Sequence, residues 1–140
     1  EMTEKKHRIE DALEAVKSAQ LEGIIPGGGI ALWNISKRIR SLSKQVSLDL
    51  EQTEAIDILE RALCAPFLKM CQNSGLDAER VEEGLNCENV NFGFNFLTEK
   101  YVDMIEDGIL DPVRVTKCAL TNAVSVAGTL LTTDFAVVET

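Results

Sequence analysis

Histidine is almost absent: the 140 residues hold a single one, His7. Cys64, Cys71, Cys87 and Cys118 contain no C-x-x-C pair and lie far from His7 along the chain. A zinc site therefore has little support, because structural zinc takes closely spaced Cys and His ligands. The same thiols suit a reducing compartment better than a disulfide framework. No apolar run approaches the length of a membrane span, and the charged N-terminal stretch is no signal peptide. These absences predict a cytoplasmic location, or a mitochondrial or plastid matrix in a eukaryote. Aromatics are sparse, with one Trp, one Tyr and five Phe; the abundance of Ala, Leu, Val and Ile beside them favours packed helices over a sandwich. Basic charge is also scarce: 14 Lys and Arg stand against 23 Asp and Glu, a net charge of -9. That balance argues against nucleic-acid binding, which needs a basic face. No internal repeat or low-complexity tract is present.

What is present reads as a mainly α protein of several helices, with a small hairpin and a C-terminal strand. The 45% hydrophobic content is ordinary for one soluble core. From Glu1 to about Glu22, Ile9, Leu13 and Val16 recur at helical spacing with no Gly or Pro. The chain opens inside this pattern without an initiator Met, as a fragment or processed product would, although Thr3 offers a cap. Gly23 ends the helix, and Pro26-Gly27-Gly28-Gly29 forms an elbow before a second apolar run through Ile30, Leu32, Trp33 and Ile35. Lys37, Arg38, Arg40 and Lys44 are followed by Asp49, Glu51, Glu54, Asp57 and Glu60; adjacent helix faces that pair are the simplest account.

A long helix is expected from about Leu50 to Asn73, bent at Pro66 and closed by Ser74-Gly75. Leu76 to Glu83 fits a short helix. Gly84 to Phe96 alternates polar and aromatic residues around Gly93, which fits a hairpin or an extended loop. A last helix follows Asp111-Pro112, with Asp suited to the cap and Pro to the first helical position, and runs to about Thr132. Val115, Ala119, Leu120, Ala123, Val124 and Leu130 occupy most of its faces, so it is expected to be central and packed on all sides. Phe135 to Thr140 reads as a short strand that seeks a partner elsewhere.

Three features carry chemistry, each beside a plainer account. Asp11 lies roughly 200° around its helix from Ile9 and Leu13, away from the apolar stripe; it is either a solvated carboxylate beside Arg8 or an exposed functional acid. The Pro26 to Gly29 elbow is either a hinge or a place where bare backbone and a helix N-terminus meet an anion. It lacks the Lys-Ser/Thr of a P-loop. Asp111 either caps a helix or holds a sugar hydroxyl, and a carboxylate has oxygens for both.

All three stand in the order found in the group I (GroEL-type) chaperonins. The run Glu1-Met2-Thr3-Glu4-Lys5-Lys6-His7-Arg8-Ile9-Glu10-Asp11-Ala12-Leu13 resembles one segment of that family, and Glu22-Gly23-Ile24-Ile25-Pro26-Gly27-Gly28-Gly29 resembles the next. Gly93-Phe94-Asn95, Met104-Ile105, Gly108 to Val115 and Ala127-Gly128-Thr129-Leu130-Leu131-Thr132-Thr133 continue the likeness across essentially the whole chain.

The resemblance implies the C-terminal part of a chaperonin subunit. Residues 1–21 would end the intermediate domain, and residues 22–140 would form the C-terminal half of the equatorial, ATPase domain. It implies ATP-dependent encapsulation and refolding of non-native proteins, with ATP and magnesium bound mostly through a phosphate loop and metal-binding Asp outside this stretch. Asp11 then matches the acid that positions and activates the attacking water. Gly28 matches a glycine whose backbone meets the sugar, Asp111 the carboxylate on the ribose, and Asn95, Phe96 and Leu97 the adenine-side segment. No metal ligand falls here. Phe96 and Leu97 stand where the family usually carries two alanines, which implies a base pocket reshaped by larger side chains. Leu68 stands where bacterial members often carry a basic residue at the contact between rings. The implied partners are further subunits in a double ring, with a co-chaperonin lid and client proteins reached through other domains. The alternative is a non-enzymatic helical piece, or an adaptor, that only self-associates.

Overall fold

The structure, a computed structural model, describes residues 2–86, 88–135 and 137. In chain order the elements are α1 (Met2–Glu22), β1 (Ile24–Pro26), α2 (Ile30–Ser43), α3 (Leu50–Asn73), α4 (Ala78–Glu83), β2 (Phe92–Asn95), β3 (Lys100–Asp103), β4 (Leu110–Pro112) and α5 (Val113–Leu131). The fold is mainly helical, as composition and periodicity anticipate. Two compact units divide it: one consists of Ile25–Leu110, the other of Glu1–Ile24 with Asp111–Thr140. β1 and β4 form one two-stranded sheet. This partition groups α5 with α1, whereas the resemblance groups α5 with the residues after 21.

The Ile25–Leu110 unit holds the core. Glu60, Leu63, Cys64, Phe67 and Cys71 recur along one stripe of α3, the three-and-four spacing of a buried helical face. α2 packs on that stripe and contributes Ile30 and Trp33, while Phe94 and Met104 close the cluster from the hairpin side. α3 is continuous through Pro66. Its start is a capping box, in which Asp49 accepts from the Gln52 N–H at 2.8 Å and the Gln52 side chain accepts from the Asp49 N–H. Its end is a Schellman motif: the Leu76 N–H reaches the Cys71 carbonyl, the Gly75 N–H reaches Gln72, and Gly75 takes the left-handed φ of 71° that this turn requires.

The elbow before α2 is glycine for two reasons at once. Gly29 sits at φ 75°, and a Cβ there would stand 3.0 Å from the Phe67 backbone nitrogen, so both backbone conformation and close approach to α3 exclude a side chain. Among the described residues the expected pairing of basic and acidic faces is seen once, between Arg40 and the buried Glu60 at 3.1 Å; Lys37 turns instead to Glu82. The hairpin pairs β2 and β3 antiparallel in the register Phe92 with Asp103, Phe94 with Tyr101 and Asn95 with Lys100. Phe94 meets Tyr101 edge to face at 5.0 Å. Gly93 between the aromatics leaves room for Met104, whose Cγ would lie 2.6 Å from an added Cβ.

In the other unit α1 packs against α5. Ladder pairs Glu4 with Arg8, Lys6 with Glu10 and Glu14 with Lys17 support α1, each worth about 0.2–0.5 kcal/mol. Gly23 at φ 88° stops the helix. The expectation that α5 is packed on all sides is overturned: no described residue of α5 or α1 is buried. Among the described residues of this unit α1 is the helix packed against α5, and one neighbour covers one side of a helix. The strand expected over Phe135 to Thr140 falls mostly outside the described residues; Phe135 and Val137 are described, lie in no strand and are exposed.

Candidate functional site

The carboxylates and the backbone-contact residues fall in different units. Gly28, Asn95, Phe96 and Leu97 belong to Ile25–Leu110, and Asp11 and Asp111 belong to the α1/α5 unit.

Gly28 follows the buried Pro26 and Gly27 in the elbow and takes φ 64°. A Cβ on it would lie 3.0 Å from Met104 Cε and 4.0 Å from the Phe94 carbonyl, so the elbow and β2 approach each other here. The Gly27 N–H fastens the elbow by donating to the Ile109 carbonyl at 2.9 Å. β2 then delivers Asn95 to the start of the hairpin turn. Its Oδ1 accepts from the backbone N–H groups of Leu97 at 2.9 Å and Thr98 at 3.2 Å, and its Nδ2 donates to Asp107 Oδ2 at 2.6 Å. An Asn that bonds backbone two and three residues onward is a turn-former. The turn ends at Glu99, a non-glycine residue at φ 54°.

The two bulky residues of the turn part company. Phe96 is half-buried with its ring 6.0 Å from Phe67 and 5.3 Å from Phe94, so it extends the core. Leu97 is 93% exposed, an isolated apolar side chain at the tip. The structure thus brings Gly28, Phe94 and Met104 together, puts Phe96 behind them and leaves Leu97 outside. A cleft of about 460 Å³ in the same unit is lined by Trp33, Lys37, Glu79 and Glu82 and includes none of the candidate residues.

In the other unit Asp11 is exposed at mid-helix. Arg8, the partner expected for it, is engaged by Glu4 at 3.1 Å, and Asp11 has no ion pair among the described residues. Asp111 does not cap α5: the capping position is Pro112, with no side-chain cap, and Val113 is the first helical residue. The expected Asp-cap, Pro-first arrangement is displaced by one residue because Asp111 and Pro112 pair in β4, where the Val113 N–H is taken by the Gly23 carbonyl at 3.1 Å. Asp111 is left half-buried, with no hydrogen bond or ion pair among the described residues, and burial pushes its carboxyl up from the ordinary range. Such a group is stabilised by any donor brought to it.

Asp107 is the site neighbour that sequence reasoning missed. Its signal was thin: an Asp before Gly108 reads only as a turn. Among the described residues no group of three or more His, Cys, Asp or Glu side chains is placed to hold a metal ion, and no helix is long and apolar enough to cross a membrane.

Compared with known proteins, residues 1–140 match the family model described as the TCP-1/cpn60 chaperonin family. The fold is similar to a group III chaperonin crystallised in the open state, with a TM-score of 0.75 and 27% identity over 86% of this chain and 25% of that one. It is equally similar to an open-state monomer of a group II chaperonin from Methanococcoides burtonii, with a TM-score of 0.75 and 25% identity over 91% of this chain and 33% of that one. The chain thus spans between a quarter and a third of the length of these two structures.

Proposed function

The chain belongs to the TCP-1/cpn60 chaperonin family, and on that premise we propose that it is the C-terminal portion of a group I chaperonin subunit, one that hydrolyses ATP to drive the refolding of enclosed proteins. The group I placement is supported by the run from Glu1 to Leu13 and by Gly108 to Val115. Asp11 orients and deprotonates the water that attacks the terminal phosphate; charge placement and geometry supply most of the catalysis in phosphoryl transfer. Gly28 offers bare backbone to the sugar, and Asp111 accepts from its hydroxyls. Asn95 and Leu97 line the adenine side, with Phe96 backing them from the core.

The observation that carries this proposal is the state of Asp111. A half-buried carboxylate with no partner among the described residues has a place for the hydroxyl donors of a ribose. Magnesium, which prefers several oxygen ligands, finds no cluster among the described residues, and none of these residues is assigned to it. Other subunits of a double ring, together with a lid and non-native clients, are the proposed partners, in the reducing compartment that the free thiols of Cys64, Cys71 and Cys118 suit.

In the full-length protein containing these residues, Asp11→Ala is expected to lower the ATP turnover rate by about 10²–10⁴-fold while nucleotide binding, measured by calorimetry, persists. Equal turnover before and after the substitution removes Asp11 from the mechanism. The second proposal, that the 140-residue chain alone is inactive and self-associates, is favoured by Ile9, Leu13, Val16, Val124 and Leu130, each more than half exposed. Tight binding of magnesium-ATP by the isolated chain would contradict it.

A further inference from the structure

The side-chain amide of Asn95 is committed on both of its ends. An Asn amide has an oxygen with two lone pairs and a nitrogen with two hydrogens. Here both lone pairs are used by the Leu97 and Thr98 N–H groups, and one hydrogen is used by Asp107. A single N–H is left over. Asp107 is itself held in place by a tightly folded segment: its N–H donates to the Asp103 carbonyl at 2.9 Å, and the Ile109 N–H donates to the Met104 carbonyl at 2.8 Å. The Asp103 side chain ties the same segment down by accepting from the Ile105 and Glu106 N–H groups. Asp107 is exposed and has no ion pair among the described residues; its bond to Asn95 faces solvent, and the charged acceptor makes it a short one.

We propose that Asp107 is a positioning residue of the nucleotide site: by accepting one amide hydrogen of Asn95, it fixes that side chain as a single N–H donor toward the base. This rests on the assignment of Asn95 to the adenine side of an ATP site. A lone donor held at the ring nitrogen of the Watson–Crick edge, and not at the exocyclic group, favours adenine, whose N1 accepts, over guanine, whose N1 carries hydrogen. Without Asp107 the amide would have two unspent N–H groups and only its oxygen contacts to hold it, and it would discriminate less between the two edges.

The test compares ATP and GTP hydrolysis by the full-length protein and its Asp107→Ala and Asp107→Asn variants. Asn at 107 keeps an acceptor oxygen in the same place. Asp107→Ala is expected to raise KM for ATP about fivefold, with a smaller change in kcat, and to reduce the ATP-to-GTP ratio of kcat/KM by a similar factor; this is the size of one lost hydrogen bond of about 1 kcal/mol. Asp107→Asn is expected to stay within about twofold of the parent in both quantities, because the acceptor is kept. The proposal is overturned if Asp107→Ala leaves the ATP-to-GTP ratio as it was, including the case where only the melting temperature falls. It is also overturned if Asp107→Asn loses the ratio as fully as Asp107→Ala does. Failure of this proposal alone shows as an unchanged ratio in a protein that hydrolyses ATP and loses that activity on Asp11→Ala; a parent protein without ATP hydrolysis brings down the nucleotide site and this inference together.

Discussion

In the Ile25–Leu110 unit, Ile30, Trp33, Phe67 and Met104 are almost wholly withdrawn from water; in the unit of α1 and α5, Leu13, Val16, Val124 and Leu130 are each more than half exposed. Both sets are large apolar side chains, although the aromatics gather in the first, so apolar character alone does not decide burial. A stripe is buried only where other surfaces meet it. α3 has α2 and the aromatic hairpin against it, whereas α1 and α5 have each other. Burial free energy of roughly 1.5–3 kcal/mol per large side chain is therefore collected in one unit and left largely unspent in the other.

The sharpest way to break this comparison is to truncate one large side chain in each unit. Phe67→Ala removes a fully buried ring that contacts Trp33 and Phe96 and is expected to cost about 3–5 kcal/mol in urea denaturation. Leu130→Ala is expected to stay within about 0.5 kcal/mol. Equal costs would mean that the exposed helix is buried in solution.

Charging the open stripe comes next in size. Leu13→Lys removes one large apolar contact from any association through α1, and is expected to weaken self-association of the 140-residue chain about tenfold, on the scale of one buried Leu. Light scattering across a dilution series reads this directly, and a monodisperse monomer before substitution would show that the stripe has no partner in the free chain.

The smallest effect concerns Asp111. Its folded-state carboxyl is raised by burial, so the fold favours the protonated form. Its contribution to stability is full below the ordinary carboxylate range and is lost as pH rises through the raised value. Asp111→Asn is therefore expected to stabilise the chain slightly at neutral pH, with the two proteins converging in acid; the gain is small because solvent screens a half-exposed group. A variant less stable than the parent at neutral pH would show that the carboxylate is satisfied in solution.

Helix positions were legible because their signals are local. The Ile9, Leu13 and Val16 spacing, Gly23 as a stop, and Ser74-Gly75 as a close all act within a turn or two. The surroundings of α5 were not legible, since a helix apolar on most faces states a demand for partners and not their presence. The cap at its start was misjudged by one residue because strand pairing of Asp111 and Pro112 depends on Gly23, ninety positions earlier in sequence. At the candidate site, Asp11, Gly28, Asn95 and Asp111 could be named by their likeness to a family. The bond from Asn95 to Asp107 spans twelve residues and two turns, and no periodicity announces such a contact. Phe96 could be placed beside Asn95 and Leu97 by its motif, but the packing of its ring against Phe67 and Phe94 could not be read from the sequence.

The single Trp and the single Tyr of the chain are both in Ile25–Leu110. Trp33 is buried beside Phe67, with its indole N–H on Glu82 and Lys37 over its ring, and the Tyr101 hydroxyl donates to the Val81 carbonyl. Tryptophan and tyrosine fluorescence and their near-ultraviolet dichroism therefore observe only the Ile25–Leu110 unit. A melting curve read from those two side chains would record the collapse of that unit and be blind to α1 and α5, whose loss would register in far-ultraviolet dichroism; two curves that fail to superimpose would be the optical signature of units that melt separately.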